Sequence, residues 1–192
     1  MGYQPPEGLV DLVDAMKRAA GAFAGAETPT VLGGGLAAWA RGGPVTDHDV
    51  DFFIREEHSE AALRALAALG MRTERPSEGW LVKAWDGDVL IDLIHHPAGA
   101  PVDDGIFSRA TRMDVMAQPL LVASASDILA SKILALTEQD PNIRPVLEIA
   151  RALREQVDWS FLRSRVGDAP FGAAMLTLIE RLGIVIEESA AA

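Results

Sequence analysis

The sequence predicts a mixed α/β fold (an α+β mixed sheet) with a helical C-terminal subdomain. Its 192 residues are 49% hydrophobic, which is enough to bury a sizeable core. Up to about residue 123, short apolar runs alternate with turn signals and amphipathic stretches, as in α/β and α+β units. After that point every patterned segment is helical. We therefore predict an α/β core over residues 1–123 and a helical subdomain over residues 124–189 packed on it.

The predicted core begins with a helix over Leu9–Ala20, because its apolar residues recur at the i, i+3, i+4 and i+7 spacing of a helical face. A later hairpin is predicted from Asp86-Gly87, a pair favoured in type I′ turns. The remaining predicted elements are a strand over Thr30–Leu32, a helix over Leu36–Ala40, a strand over Val50–Ile54, a helix over Ser59–Leu69, the hairpin strands Trp80–Trp85 and Val89–Ile94, and strands over Met113–Ala117 and Leu120–Ala123.

Capping and helix-breaking residues divide the C-terminal part into four predicted helices. Ser124 and Asp127 form a capping box at the start of the first helix. Pro141 and Pro145 interrupt the chain after it and favour a new helix. The four predicted helices span residues 124–137, 145–154, 158–166 and 171–182.

Charge and composition exclude several functional classes. The 17 Lys and Arg residues against 28 Asp and Glu residues give a net charge of −11, which disfavours general nucleic-acid binding. The chain contains no cysteine, which excludes disulfides, thiolate metal sites and cysteine nucleophiles. No signal-peptide pattern opens the sequence, and no segment approaches the roughly 18–20 apolar residues that span a bilayer. We expect a soluble, cytoplasmic protein that does not bind membranes.

A glycine-rich segment and an acidic pair follow one another in the first third of the chain. Gly33–Gly35 join a predicted strand to a helix, where glycines let backbone N–H groups approach a phosphate. Asp49 and Asp51 lie two residues apart at the start of the next strand and project from the same face. Their mutual repulsion is understandable if a divalent cation binds between them. The sequence therefore predicts a phosphate-binding loop directly ahead of a metal site.

Each of these motifs alone has an ordinary structural explanation. An acidic pair is often part of a solvated turn, and a run of glycines is often only a tight loop. Their order along the chain, with the apolar residues Phe52–Ile54 directly after the pair, favours the functional interpretation.

The two motifs together resemble those of the nucleotidyltransferase superfamily with the DNA polymerase β-like fold. The pattern of that family is an apolar residue, Gly, then Gly or Ser, a spacer, and Asp-apolar-Asp on the next strand. The resemblance is to minimal bacterial members, including toxins of toxin–antitoxin pairs, and it extends over residues 9–138. The residues that fit the pattern are Gly34, Gly35, Asp49, Val50 and Asp51.

The loop before the acidic pair departs from this pattern. Many members of the family carry an Arg shortly before the Thr that precedes the pair. Here Pro44 and Val45 precede Thr46, so a triphosphate contact from that Arg is missing.

The resemblance also implies a third carboxylate on a neighbouring strand, and Asp92 supplies one within the apolar run Leu90–Ile94. A charged group buried there without a partner costs several kcal/mol, so it needs a partner such as a metal ion. The alternatives are an exposed strand position and a structural ion pair.

Lys132 interrupts the apolar stripe of its predicted helix, where it lies between Ile128 and Leu136. The side chain either snorkels to solvent or contacts nucleotide phosphates, like the lysine on a helix after the catalytic sheet in toxin-like members.

The resemblance to this family implies transfer of a nucleoside monophosphate from an NTP, with ATP expected first, to an acceptor hydroxyl, with release of pyrophosphate. The acidic surface favours a small-molecule acceptor, such as an aminoglycoside-like cation, or a protein side chain. A homodimer is a further expectation. The implied catalytic and metal-binding residues, for Mg²⁺ or alternatively Mn²⁺, are Asp49, Asp51 and Asp92, and the implied nucleotide-binding residues are Gly34, Gly35, Thr46 and Lys132.

Two rival functions remain at this point. One is a catalytically silent binding protein of the same fold, or an antitoxin-like partner; the missing Arg supports it and the three aspartates count against it. The other is a glycosyltransferase that uses Asp49 and Asp51 as its metal motif, although only 48 residues precede the pair.

Histidine and tryptophan residues give weaker signals. His48, His95 and His96 are expected at the surface, with no zinc site, because only oxygen-rich surroundings are evident. The tryptophans are expected to pack in the core or at the rim of a cleft rather than to stack on nucleobases; they are Trp80, Trp85 and Trp159.

Overall fold

One mixed sheet of seven strands forms the centre of the computed structural model, which describes residues 8–46, 49–97 and 100–185. The strands are β1 (Thr30–Leu32), β2 (Asp49–Ile54), β3 (Arg72–Glu74), β4 (Leu81–Asp86), β5 (Val89–Ile94), β6 (Thr111–Val115) and β7 (Gln118–Val122). The helices are α1 (Leu9–Gly25), α2 (Gly34–Ala40), α3 (Ser59–Ala68), α4 (Asp104–Arg109), α5 (Ala125–Leu134), α6 (Arg144–Leu153), α7 (Trp159–Val166) and α8 (Pro170–Arg181), and Glu56–His58 forms a short 3-10 helix.

The strands lie in the order β3-β4-β5-β2-β1-β7-β6. The pairs β2/β5 and β1/β7 are parallel, and the other neighbours are antiparallel. This mixture confirms the predicted α/β class with a mixed sheet.

Helices cover the two faces of the sheet unequally. On one face, α1 and α3 pack against β2, β4 and β5, and the ring of Phe23 meets that of Phe52 edge to face at 5.2 Å. On the other face lie α2 and α5, which contact each other. Since successive strand residues alternate between faces, Phe52 points to α1, whereas Asp49 and Asp51 point to the side of α2 and α5.

Helix α5 is the centre of the C-terminal part, and it packs against α2, α6, α7 and α8. It begins as predicted, with Ser124 Oγ accepting a hydrogen bond from the Asp127 N–H at 3.0 Å. Strand β7 ends at Val122, two residues before this cap, and the boundary after residue 123 stays our proposed division of the chain.

None of the helices in the described part of the chain has the length and apolarity needed to cross a bilayer.

Strand β3 and helix α4 were not predicted. Strand β3 is at the edge of the sheet and carries Arg72-Thr73-Glu74, which lack alternating apolar residues; the Arg72 guanidinium lies 3.5 Å from the ring centroid of Trp85. Helix α4 has six residues and buries only Ile106, too few for a periodic signal.

Helix ends also differ from the prediction. Helix α1 continues five residues beyond Ala20, α2 begins at Gly34, and α5 ends at Leu134 rather than near Thr137. The α5 end has a local cause, because the Thr137 hydroxyl accepts a hydrogen bond from the Asp140 N–H at 3.1 Å and closes a turn.

The predicted type I′ turn at Asp86-Gly87 is wrong, although the hairpin itself is confirmed. Asp86 pairs with Val89, so Gly87 and Asp88 form the two-residue loop. Gly87 has φ +61°, and Asp88 is not among the residues with positive φ, as in a type II′ turn with Gly at its first central position. This register places Lys83 directly opposite Asp92.

Candidate active site

Three acidic side chains meet on the sheet face that α2 and α5 cover. The parallel register of β2 and β5 pairs Asp51 with Asp92, and Asp49 lies two residues earlier on the same face of β2. One carboxylate oxygen from each residue lies within 4.8 Å of the others. Asp51 is only 7% exposed and Asp92 only 8%. The fold thus brings together the three carboxylates that the sequence analysis singled out.

The electrostatics of this acidic triad (Asp49, Asp51, Asp92) are unfavourable without a further cation. Burial and the Asp49 carboxylate raise the pKa of Asp51 to about 7, against the opposing effect of the Lys132 ammonium. Burial also raises the pKa of Asp92, which Lys83 opposes. Protonation or a bound cation would each relieve the repulsion between these groups.

Asp92 retains an unsatisfied oxygen despite its position. Its Oδ1 is one of two buried side-chain atoms in the described part of the chain that have no hydrogen-bond partner. The nearest cation is Lys83 Nζ at 3.6 Å, which makes an ion pair but is too distant for a hydrogen bond. Carboxylate oxygens in this state are ligands that a hard divalent cation prefers, so the triad fits Mg²⁺.

The glycines before the triad are required by close contacts. Gly34 has φ +57°, and a Cβ atom built on it would lie 1.6 Å from Asp51 Oδ2. A Cβ atom on Gly35 would lie 2.6 Å from Thr46 Oγ1. The backbone of the β1–α2 junction therefore lies directly against the triad, where only glycine fits.

We expect Gly34→Ala to destabilise the protein by about 2–5 kcal/mol, because it adds a left-handed backbone penalty to a steric overlap with Asp51. Gly21→Ala is the matched control: Gly21 lies inside α1, where an added Cβ atom would have no neighbour within 4 Å, and alanine should stabilise the helix by about 0.5–1 kcal/mol. Urea unfolding of both variants measures the difference. Equal stability of the two variants would contradict the close approach.

A cleft of about 510 Å³ opens above the triad. Its lining includes all three carboxylates, Gly34, Lys132, Trp80 and His96. Trp80 is 42% exposed there, in agreement with the expected rim position. The cleft is large enough for a small ligand.

Not all the predicted nucleotide-binding residues line this cleft. Gly35 and Thr46 line an adjoining cavity of about 350 Å³, and Lys132 lines both cavities. Lys132 is thus directed to the interior of the site, close enough to lower the pKa of Asp51, rather than only to solvent. Asp47 and His48 lie outside the described residues.

A third cavity of about 290 Å³ continues the cleft at its other end, where both are lined by Phe53 and Ser131. Its wall contains Arg109, which forms two hydrogen bonds with the Asp127 carboxylate at 2.8 and 3.0 Å. The guanidinium also lies 4.4 Å from the ring centroid of Phe161. This ion pair joins α4, α5 and α7 around the cavity.

Two basic residues, Lys83 and Arg41, have roles that the sequence did not indicate. Lys83 was missed because its pairing with Asp92 depends on the hairpin register. Arg41, which lies five residues before Thr46, does not replace the missing Arg of the loop. Its Nη2 donates to the Val122 carbonyl at 3.0 Å, and its own carbonyl accepts from Gln156, so it joins α2 to β7 and the C-terminal helices.

Comparison with known families agrees with this geometry. Residues 13–175 match the model of a family described as "Nucleotidyl transferase of unknown function (DUF2204)". The chain belongs to this family. It is therefore a nucleotidyltransferase, as the sequence motifs implied, and the glycosyltransferase interpretation is set aside. No curated protein sequence matches this nucleotidyltransferase.

Solved structures of similar fold were found as well. A solution structure of the antibiotic-resistance factor ANT(2'')-Ia is 18% identical, with a TM-score of 0.64, covering 91% of this chain and 96% of that one. A crystal structure of ANT(2'')-Ia with adenylyl-2''-tobramycin is 16% identical, with a TM-score of 0.57, covering 86% and 97%. A nucleotidyltransferase-like protein from Paracoccidioides brasiliensis is 14% identical, with a TM-score of 0.51, covering 89% and 88%. At these identities the likeness concerns the fold.

Proposed function

We propose that this nucleotidyltransferase transfers a nucleoside monophosphate, AMP in the first place, from a Mg²⁺-bound NTP to a hydroxyl group of a small cationic molecule. The observation that carries the proposal is the buried triad of Asp49, Asp51 and Asp92 in one cleft with Gly34 and Lys132. In the transfer, the acceptor oxygen forms a bond to the α-phosphorus, the bond from that phosphorus to the β-phosphate breaks, and pyrophosphate leaves.

Asp49, Asp51 and Asp92 would hold Mg²⁺, or Mn²⁺ in its place, because they offer only oxygen donors and already lack a full set of partners. When bound, the metal neutralises phosphate charge and lowers the barrier to attack on phosphorus. No other group among the described residues near the triad supplies that much positive charge.

The remaining residues bind and orient the nucleotide and the acceptor. The Gly34 backbone and the Lys132 ammonium flank the triad and would bind phosphate oxygens. Gly35 and Thr46 would bind the nucleotide from the adjoining cavity. Asp92, whose Oδ1 has no hydrogen-bond partner, would accept the proton of the attacking hydroxyl.

Charge favours a cationic acceptor. The chain carries a net charge of −11, and the cleft itself is lined by the three carboxylates of the triad and one lysine, Lys132. ANT(2'')-Ia, of similar fold, has been solved with adenylyl-2''-tobramycin, which supports a small acceptor. Trp80 at the rim offers an apolar surface for such a molecule.

The test is a screen of small amines and amino sugars bearing hydroxyl groups, each with an α-labelled NTP and Mg²⁺. Transfer of label to the acceptor, dependent on the metal and absent in Asp51→Asn, supports the proposal. Transfer of label only to a protein substrate would replace the small-molecule acceptor while retaining the chemistry.

A catalytically silent protein of the same fold is the second candidate, and the Pro44-Val45 sequence in place of an Arg favours it. Calorimetry with Mg²⁺ and each NTP separates the two candidates. A silent protein should bind neither, whereas the proposed enzyme should bind an NTP only when the metal is present.

We expect Lys132→Met to weaken NTP binding about 10- to 100-fold, because a charge-assisted hydrogen bond to phosphate contributes about 1.5–3 kcal/mol. Thermal stability should not fall, since Met continues the apolar stripe of α5. Lys17→Met on α1, behind the sheet, is the matched control and should leave the NTP affinity unchanged. An unchanged affinity in Lys132→Met would instead show that Lys132 does not contact the nucleotide.

A further inference from the structure

A second group of ligand-type side chains lies beyond the triad, at the carboxyl ends of β2 and β5. It consists of Glu56, His95 and His96, each of which offers one ligand atom within 4.8 Å of the others. The Nδ1 atoms of the two histidines are 2.7 Å apart, and their rings meet edge to face. His96 Nε2 lies 3.9 Å from Glu56 Oε2, an ion-pair distance rather than a hydrogen bond.

The parallel pairing of β2 and β5 creates this cluster, because both strands end at the same edge of the sheet. Their last paired residues are Phe53 and Ile94. Glu56 lies two residues after the end of β2, and His95 and His96 follow β5 directly. The backbone at the end of β5 is held in place: the N–H groups of His95 and His96 both donate to the Trp80 carbonyl at 3.1 Å. The two imidazoles are therefore presented by an anchored segment.

The cluster combines a buried anchor with an open side. His95 is only 5% exposed, contrary to the expectation of a surface residue. The His96 side chain is 30% exposed and that of Glu56 is 67% exposed, which leaves a path for an ion. The cluster shares no residue with the triad: strand β5 carries Asp92 and ends at Ile94, and His95 and His96 follow it.

We propose that Glu56, His95 and His96 form a binding site for one transition-metal ion, Zn²⁺ in the first place, separate from the acidic triad. Two imidazole nitrogens and one carboxylate are a donor set that suits Zn²⁺, with a fourth position left for water, whereas the all-oxygen triad suits Mg²⁺. In the metal-free protein one imidazole donates a hydrogen bond to the other. A bound ion would take the place of the proton in that hydrogen bond.

Such an ion would order one wall of the cleft, because one of its ligands belongs to that wall. His96 and the following Pro97 both line the cleft above the triad. An ion bound by His96 would fix this ring and the turn after it at the rim that Trp80 also forms.

The test uses the full chain without an affinity tag, treated with a chelator and kept in excess Mg²⁺ so that the triad is occupied. Zn²⁺ is titrated in competition with a chromophoric chelator, and Co²⁺ is used as a spectroscopic probe of nitrogen ligation. We expect one equivalent of Zn²⁺ to bind, with an affinity at least about tenfold weaker in His96→Gln and in Glu56→Gln. Both positions are partly exposed, so these variants should fold.

Two controls make the result specific. His58→Gln removes a histidine from the same 3-10 helix as Glu56 but outside the cluster, and it should bind Zn²⁺ like wild type. Asp51→Asn should do the same, because it alters only the triad. Zn²⁺ should raise the Tm of wild type and of both controls, and it should raise that of His96→Gln less.

Three results would overturn the site. They are an absence of Zn²⁺ binding to wild type, an unchanged affinity in His96→Gln, and a loss of affinity in Asp51→Asn that His96→Gln does not share. In each case the two histidines would be only a hydrogen-bonded pair. None of these readouts uses transferase activity, so the result does not depend on the proposed function.

Discussion

Asp51→Asn should abolish metal-dependent NTP binding and turnover while the protein remains folded. Asp51 lies between Asp49 and Asp92 with its carboxylate against Gly34, so it is the central member of the triad. A metal ion contributes several kcal/mol of transition-state charge stabilisation, and each 1.36 kcal/mol corresponds to a factor of ten. We therefore expect kcat/KM to fall by about 10³ or more. Asp49→Asn should behave in the same way.

Stability measured without metal provides a check on this prediction. Burial and Asp49 raise the pKa of Asp51 from 3.8 to about 7, so between these values the folded state binds more protons than the unfolded state. Metal-free wild type should therefore lose stability as pH rises through about 7, and Mg²⁺ should restore it at higher pH. Asp51→Asn should be at least as stable and should lose this pH dependence. Metal-dependent turnover retained by the variant would contradict the assignment.

The sequence alone predicted much of the fold and the identity of the acidic residues. Strand β2 and the hairpin carry strong apolar runs, and the turn-forming glycines separate them from the helices, so their positions followed from local pattern. The roles of Gly34 and Gly35 were expected from phosphate binding. The structure adds a second reason for both, since a side chain on either would meet Asp51 or Thr46.

What the sequence could not provide is register and long-range pairing. A turn centred on Asp86 and Gly87 would place Leu81 opposite Asp92, whereas the observed loop places Lys83 there. The pairing of Asp51 with Asp92 likewise follows from a parallel contact between strands that are distant along the chain. The same contact brings Glu56 to His95 and His96, which is why no spacing in the sequence indicated that cluster.

Asp92→Asn separates the chemical step from nucleotide binding. If Asp49 and Asp51 supply most of the binding to the nucleotide-bound metal, the affinity for the Mg²⁺-bound NTP should stay within a few-fold of wild type. Turnover should fall by about 10² to 10⁴, or roughly 3–5 kcal/mol, because the group that accepts the acceptor proton is lost. Rapid measurement of pyrophosphate release, together with calorimetric NTP binding, gives both quantities.

The structure raises one competing role for Asp92, because Lys83 Nζ lies 3.6 Å from its Oδ1. If Asp92 served mainly this ion pair, Asp92→Asn and Lys83→Met would destabilise the protein to a similar extent, and activity at low temperature would survive in both. We expect the opposite for Asp92→Asn. Its Oδ1 is buried without a hydrogen bond, so a neutral amide of nearly the same shape removes a desolvation penalty, and the Tm should hold or rise. A variant that melts well below wild type but keeps its specific activity would assign Asp92 to the ion pair instead.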